Sequence, residues 1–173
     1  MKLSNISNYT GLLNKIKEEC LQNPKRIGSL VGQPLNDYKS ILNELSEDYK
    51  QEHAKDTHVQ YCNRRFYKRC SLIGELETKI KKDLNCRGVL SSGVFFYGKG
   101  GYCGWHTDNR KDTKKLYFAF ANEANKSFFA TYKDDLIVDY DVKGWQSRMF
   151  KTPMWHSVGS NCLRFSLGFN VRN

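Results

Sequence analysis

From residue 88 onward, short runs of β-branched and aromatic residues alternate with turn formers, which predicts strands over 89–97, 116–121, 127–132, 136–140, 147–150 and 163–171. The first half repeats differently. Leu12, Leu13, Ile16 and Cys20 recur at helical spacing behind the candidate caps Ser7 and Thr10, and a loop with Pro24, Gly28, Gly32 and Pro34 follows. A second helix is predicted from Asp37 through Ile41, Leu42 and Leu45 to Tyr49. A third, over 61–84, sets Cys62, Phe66, Cys70, Ile73, Leu76 and Ile80 on one side and lysines and arginines on the other. Helices first and strands afterwards predict an α+β domain, with the N-terminal helices packed on one face of an antiparallel sandwich or barrel.

The 173 residues suit one domain, 1–173, in which 1–88 is mainly helical support and a substrate-facing region and 89–173 is the catalytic core. No apolar run is long enough to span a membrane, and the N-terminus lacks the apolar core of a signal peptide, so no membrane partner and a cytoplasmic location are expected. Cys20, Cys62, Cys70, Cys86, Cys103 and Cys162 form no Cys-x-x-Cys pair, which argues against a zinc knuckle and for free thiols. The net charge of +10 is shared evenly, 16 basic against 11 acidic residues in 1–90 and 12 against 7 in 91–173. Arg64, Arg65, Lys68 and Arg69 form one basic cluster, read either as a solvated helix or loop face or as a footprint for phosphate. Arg110, Lys111, Lys114 and Lys115 form another, read either as a solvated loop or as a guide for an anionic substrate.

In the strand-rich half, His106-Thr107-Asp108 places an imidazole and a carboxylate two residues apart, a spacing that projects both to one face of an extended chain. A second imidazole, His156, follows 48 residues after Asp108 and heads a strand-like run carrying Arg164 and Ser166 on one face. Two histidines and a carboxylate make a facial ligand set that leaves positions open on a non-haem Fe(II). The ordered set His106, Asp108, His156, Arg164 and Ser166 resembles the iron(II)/2-oxoglutarate-dependent oxygenase superfamily, over roughly residues 91–173.

That resemblance implies a double-stranded β-helix, the jelly-roll core of cupin-like folds. It implies Fe(II) as metal, with 2-oxoglutarate and dioxygen as co-substrates, and oxidative decarboxylation of 2-oxoglutarate coupled to hydroxylation or oxidative demethylation of a substrate. His106, Asp108 and His156 would be the metal ligands. Arg164 would meet the distal carboxylate of 2-oxoglutarate in the forked geometry that a lysine cannot copy, helped by Ser166 and by the phenol of Tyr97, for which Tyr102 competes; the alternative for Arg164 is an internal salt bridge. Arg148 is the reserve anchor. Trp105 and Trp155 each precede a ligand histidine, so alternation sends them to the opposite side as core residues. Asn109 is equally a turn residue or an orienting group for Asp108, and His53 and His58 read as surface histidines. The positive charge favours an acidic or nucleic-acid-associated substrate. Two alternatives remain: a non-enzymatic basic module that binds nucleic acid, and a cupin-type metal protein without 2-oxoglutarate.

Overall fold

The computed structural model describes residues 5–23, 27–52, 62–67, 69–108 and 113–173. Its strands are β1 Ile27–Val31, β2 Cys62–Tyr67, β3 Gly88–Tyr97, β4 Gly101–His106, β5 Lys114–Ala121, β6 Ser127–Tyr132, β7 Leu136–Tyr140, β8 Gly144–Lys151, β9 Trp155–Ser160 and β10 Arg164–Arg172. Helices are α1 Ser7–Gln22, α2 Glu47–Glu52 and α3 Ser71–Asp83, with a short 3-10 helix at Ser40–Asn43.

Every strand pairing among the described residues is antiparallel, in the order β7-β6-β9-β4-β2-β3-β10-β5-β8, with β1 added on β2. The path folds into two sheets, and β2 belongs to both. It pairs with β3 through Arg65↔Phe96 and Phe66↔Phe95, and with β4 through Cys62↔Cys103 and Asn63↔Tyr102. This is a double-stranded β-helix, as the resemblance implied.

Alternation along the strands sorts the apolar residues into three layers. Phe165, Leu167 and Phe169 of β10 and Leu116 and Phe118 of β5 face α1 and α3, where they pack on Leu13, Ile16, Ile73, Leu76 and Ile80. Their neighbours one residue away turn into the barrel, where Cys62, Phe95, Tyr97, Cys103, Phe129 and Val158 meet. On the far side, Tyr102, Trp105 and Phe128 pack outward against Tyr38 and Ile41 of the 3-10 segment. A fully buried leucine or phenylalanine contributes about 1.5–3 kcal/mol, so the helical layer carries much of the stability.

Residues 62–67 depart from the expected helix over 61–84: they are a strand, and the helix begins only at Ser71. Cys62, Phe66 and Cys70 fit both a helical and a two-residue repeat, so periodicity alone cannot separate the two. The open β3 and β4 edges decide it, because β2 supplies the backbone partners that close the barrel. The second expected helix is also divided. The 3-10 turn ends at Asn43, and α2 starts afresh where the Ser46 hydroxyl accepts the Tyr49 N–H at 3.1 Å.

Candidate functional site

A bulge aims the first histidine. β4 and β9 pair Cys103 with Val158 and His106 with His156, so three steps along β4 match two along β9. The extra residue turns both Cys103 and His106 into the barrel while Trp105, between them, packs outward. His106 and His156 thereby stand directly across from each other, ring centroids 4.0 Å apart. Gly100, at φ +72° in the turn before β4, lies so close to Leu35 that a Cβ would fall 2.5 Å from its carbonyl oxygen.

Each imidazole is held in the same way. His106 Nδ1 is 2.8 Å from the Gly104 carbonyl and His156 Nδ1 is 2.9 Å from the Met154 carbonyl. A carbonyl only accepts, so both Nδ1 atoms carry the proton and both Nε2 atoms present a lone pair. His156 Nε2 is buried with no hydrogen-bond partner. Burial pushes the His106 pKa down to about 4 and lowers that of His156 as well, which His106 beside it reinforces. Neutral imidazoles with inward lone pairs are the form that a divalent metal takes.

Asp108 completes the trio less tightly. Its Oδ2 lies 3.8 Å from His156 Nε2 and 3.1 Å from the ammonium of Lys115. Cis ligands about 2.1 Å from one metal stand about 3.0 Å apart. Among the described residues, no three His, Cys, Asp or Glu side chains are already gathered as a metal site. The donor set and the partnerless Nε2 fit such an ion, provided Asp108 shifts toward His156. Lys115 itself departs from expectation: it is not on an overhanging loop but on β5, 4% exposed.

The pocket that contains both imidazoles is a narrow cavity of about 20 Å³, also lined by Tyr97, Arg164, Ser166 and Arg64. Arg164 is 1% exposed, and its Nε donates to Asp141 Oδ2 at 2.7 Å. Asp141 also accepts from Ser127 Oγ, from Gln146 at 2.5 Å and from Arg148 Nη1 at 2.7 Å. Burial works to raise the Asp141 pKa, but Arg164 and Arg148 more than offset it and bring it below the usual carboxylate range. Arg148, the reserve anchor, is held by Asp139 and Asp141.

Tyr97 faces the pocket, whereas Tyr102 points to the opposite side of β4. Trp105 is a core residue whose indole N–H donates to the Ile41 carbonyl at 2.7 Å, and Trp155 packs in the same outer layer. Asn109, Arg110, Lys111, His53 and His58 lie outside the described residues. Sequence reasoning missed Asp141 and, although it named Arg64 and Lys115 in basic clusters, it missed that both turn into the barrel. Only Lys115 carried a signal, by standing an even step ahead of the alternating run Tyr117 and Ala119.

No family model and no curated protein matches the sequence. Solved structures do. An oxidoreductase of the 2OG-Fe(II) oxygenase family from Burkholderia pseudomallei matches 92% of this chain and 78% of its own, at 12% identity and a TM-score of 0.57. A prolyl hydroxylase from Trichoplax adhaerens, solved with a peptide fragment of the hypoxia inducible factor oxygen degradation domain, matches over 99% and 94%, at 12% identity and a TM-score of 0.50. The chain has the fold of these oxygenases. No helix among the described residues is long and apolar enough to cross a membrane.

Proposed function

We propose that the protein is an Fe(II)- and 2-oxoglutarate-dependent oxygenase that hydroxylates or oxidatively demethylates a substrate. The observation that carries this reading is the shared pocket, lined by two neutral imidazoles together with a buried arginine and serine. His106, Asp108 and His156 would hold the metal, and Arg164, Ser166 and Tyr97 the distal end of 2-oxoglutarate. Bound there, the metal and co-substrates would supply oxidative decarboxylation coupled to oxidation of a C–H bond.

The chain's own contribution is orientation and exclusion of water. Gly104 and Met154 fix the ring tautomers through their carbonyls. Rings of Phe150, Phe129 and Tyr117 stand 5.1, 5.6 and 6.3 Å from that of His156 and shield it from bulk solvent. Asp141 holds Arg164 by its Nε, which fixes how the rest of the guanidinium is presented.

Anaerobic addition of Fe(II) and 2-oxoglutarate to the purified protein tests the reading through the weak visible band of an iron-bound 2-oxo acid. The band is expected in wild type and absent in His106→Ala and His156→Ala. Mn(II) titration by calorimetry should show the same variants losing metal affinity. Wild-type metal affinity in both histidine variants would sink the triad.

A further inference from the structure

A second guanidinium reaches the pocket from a strand that the reading above does not use. Arg64 lies on β2, the strand common to both sheets. The β2–β3 register pairs Arg65 with Phe96, so one residue further sets Arg64 opposite Tyr97, and Tyr97 is opposite Arg164 on β10. Two arginines therefore flank one tyrosine in a row across three strands. Neighbouring strands lie about 4.8 Å apart, which separates the two backbones by about 10 Å.

The surroundings of the two cations differ. Arg164 and Arg148 share the carboxylates of Asp141 and Asp139. The contacts of Arg64 include a hydrogen bond from its Nη1 to Cys103 Sγ at 3.0 Å and the Phe95 ring, whose centroid lies 4.5 Å from its guanidinium carbon. The Tyr97 phenol and the Cys62 thiol bear on it as well. Burial raises the pKa of Cys62 and Tyr97, the latter to about 12, so both stay protonated at physiological pH. A guanidinium keeps its charge in such surroundings, and Arg64 Nε is shielded from solvent. Cys103 also ties Arg64 to the imidazole end of the pocket, because its Sγ is 3.8 Å from His106 Nδ1.

We propose that Arg64 is a carboxylate-binding residue, so that the pocket takes a dianionic ligand with one carboxylate at Arg164 and Ser166 and the other at Arg64, beside His106. The proposal rests on the oxygenase reading, in which 2-oxoglutarate is that dicarboxylate. It assigns the imidazole-end carboxylate a protein partner besides the metal, in the fork geometry that favours arginine.

Calorimetric titration of the Mn(II)-loaded full chain with 2-oxoglutarate tests it. Arg64→Gln is expected to raise Kd at least tenfold with Mn(II) affinity unchanged, and Arg64→Lys to recover part of the loss. Wild-type affinity in Arg64→Gln, with weakened binding in Arg164→Lys, would overturn the role of Arg64 and leave the oxygenase reading standing. If Arg64→Gln fails to fold, Arg64→Lys carries the test, and a wild-type Kd there overturns the proposal. If wild type takes no 2-oxoglutarate, the oxygenase reading fails first, and glutarate then tests the anion site alone. Binding of glutarate by wild type that is lost in Arg64→Gln or weakened in Arg64→Lys supports it; no binding by wild type overturns it.

Discussion

Two polar clusters are buried in the same barrel, and they are finished to different degrees. Around Asp141, Ser127, Gln146, Arg148 and Arg164 all donate to one carboxylate, and Asp139 takes the remaining side of Arg148. Around His156 the set stops short: Nε2 has no partner, and Asp108 leans toward Lys115. Buried polar atoms are nearly always paired, since an orphan costs about 1–3 kcal/mol. The closed cluster is therefore scaffold that holds Arg164 at the pocket wall, and the open one is the set that, under the proposed function, a ligand would complete.

The largest effect should come from opening the closed cluster. Asp141→Leu leaves Arg148 and Arg164 buried with a carboxylate missing, and breaking such a pair costs about 3–5 kcal/mol. For a chain of this size that lowers the melting temperature by on the order of 10 °C. His156→Leu in metal-free protein gives up only the Met154 hydrogen bond and should cost less than a third as much. Equal losses in thermal melts of the two variants would erase the distinction between the clusters.

The open cluster was legible in the sequence and the closed one was not. His106, Asp108 and His156 are recognisable because a chelating set needs particular residue types at particular spacings. Arg164 and Ser166 share a strand face by simple alternation, and the structure puts both in the pocket. Asp141 has no such signature: it follows β7 at the end of a run with Asp139, and only the return of β10 beside β5 and β3 brings Arg164 to it. Arg64 was hidden by an ambiguous period. Cys62, Phe66, Cys70 and Ile73 mimic one helix stripe, and nothing local reveals that the sheet needs a strand there.

The two clusters should also fail at different pH. Unfolded histidine titrates near 6.5, whereas burial holds His106 at about 4 in the folded chain. Between those values the unfolded state takes up a proton and the folded state does not. Stability of the metal-free protein therefore falls as pH drops from 6.5 to 4, by about 3 kcal/mol from His106 alone at about 1.4 kcal/mol per unit. The Asp141 pKa is depressed, so its contribution is present above the unfolded value of about 3.9 and is lost only as pH falls through its folded pKa. Urea unfolding at pH 7, 5.5 and 4.5 should show the first loss, reduced in His106→Leu. A flat profile over that range would contradict it.

The smallest effects concern two neighbouring lysines that the sequence treated alike. Lys115 sits in the barrel against Asp108, whereas Lys114 reaches outward to Asn173 Oδ1 at 3.3 Å. Lys115→Met removes the cation from a carboxylate that is still 19% exposed, so the cost should be below that of a fully buried pair, about 1–2 kcal/mol. A divalent metal bound by Asp108 would replace that positive charge. The destabilisation should then shrink when Mn(II) is added, which ordinary loss of packing would not do. Lys114→Glu, at a partly exposed strand end, should stay within about 0.5 kcal/mol with or without Mn(II). Thermal melts of both variants, with and without the ion, decide it. A Lys115→Met deficit that Mn(II) leaves unchanged would mean that Asp108 serves the barrel and not the metal.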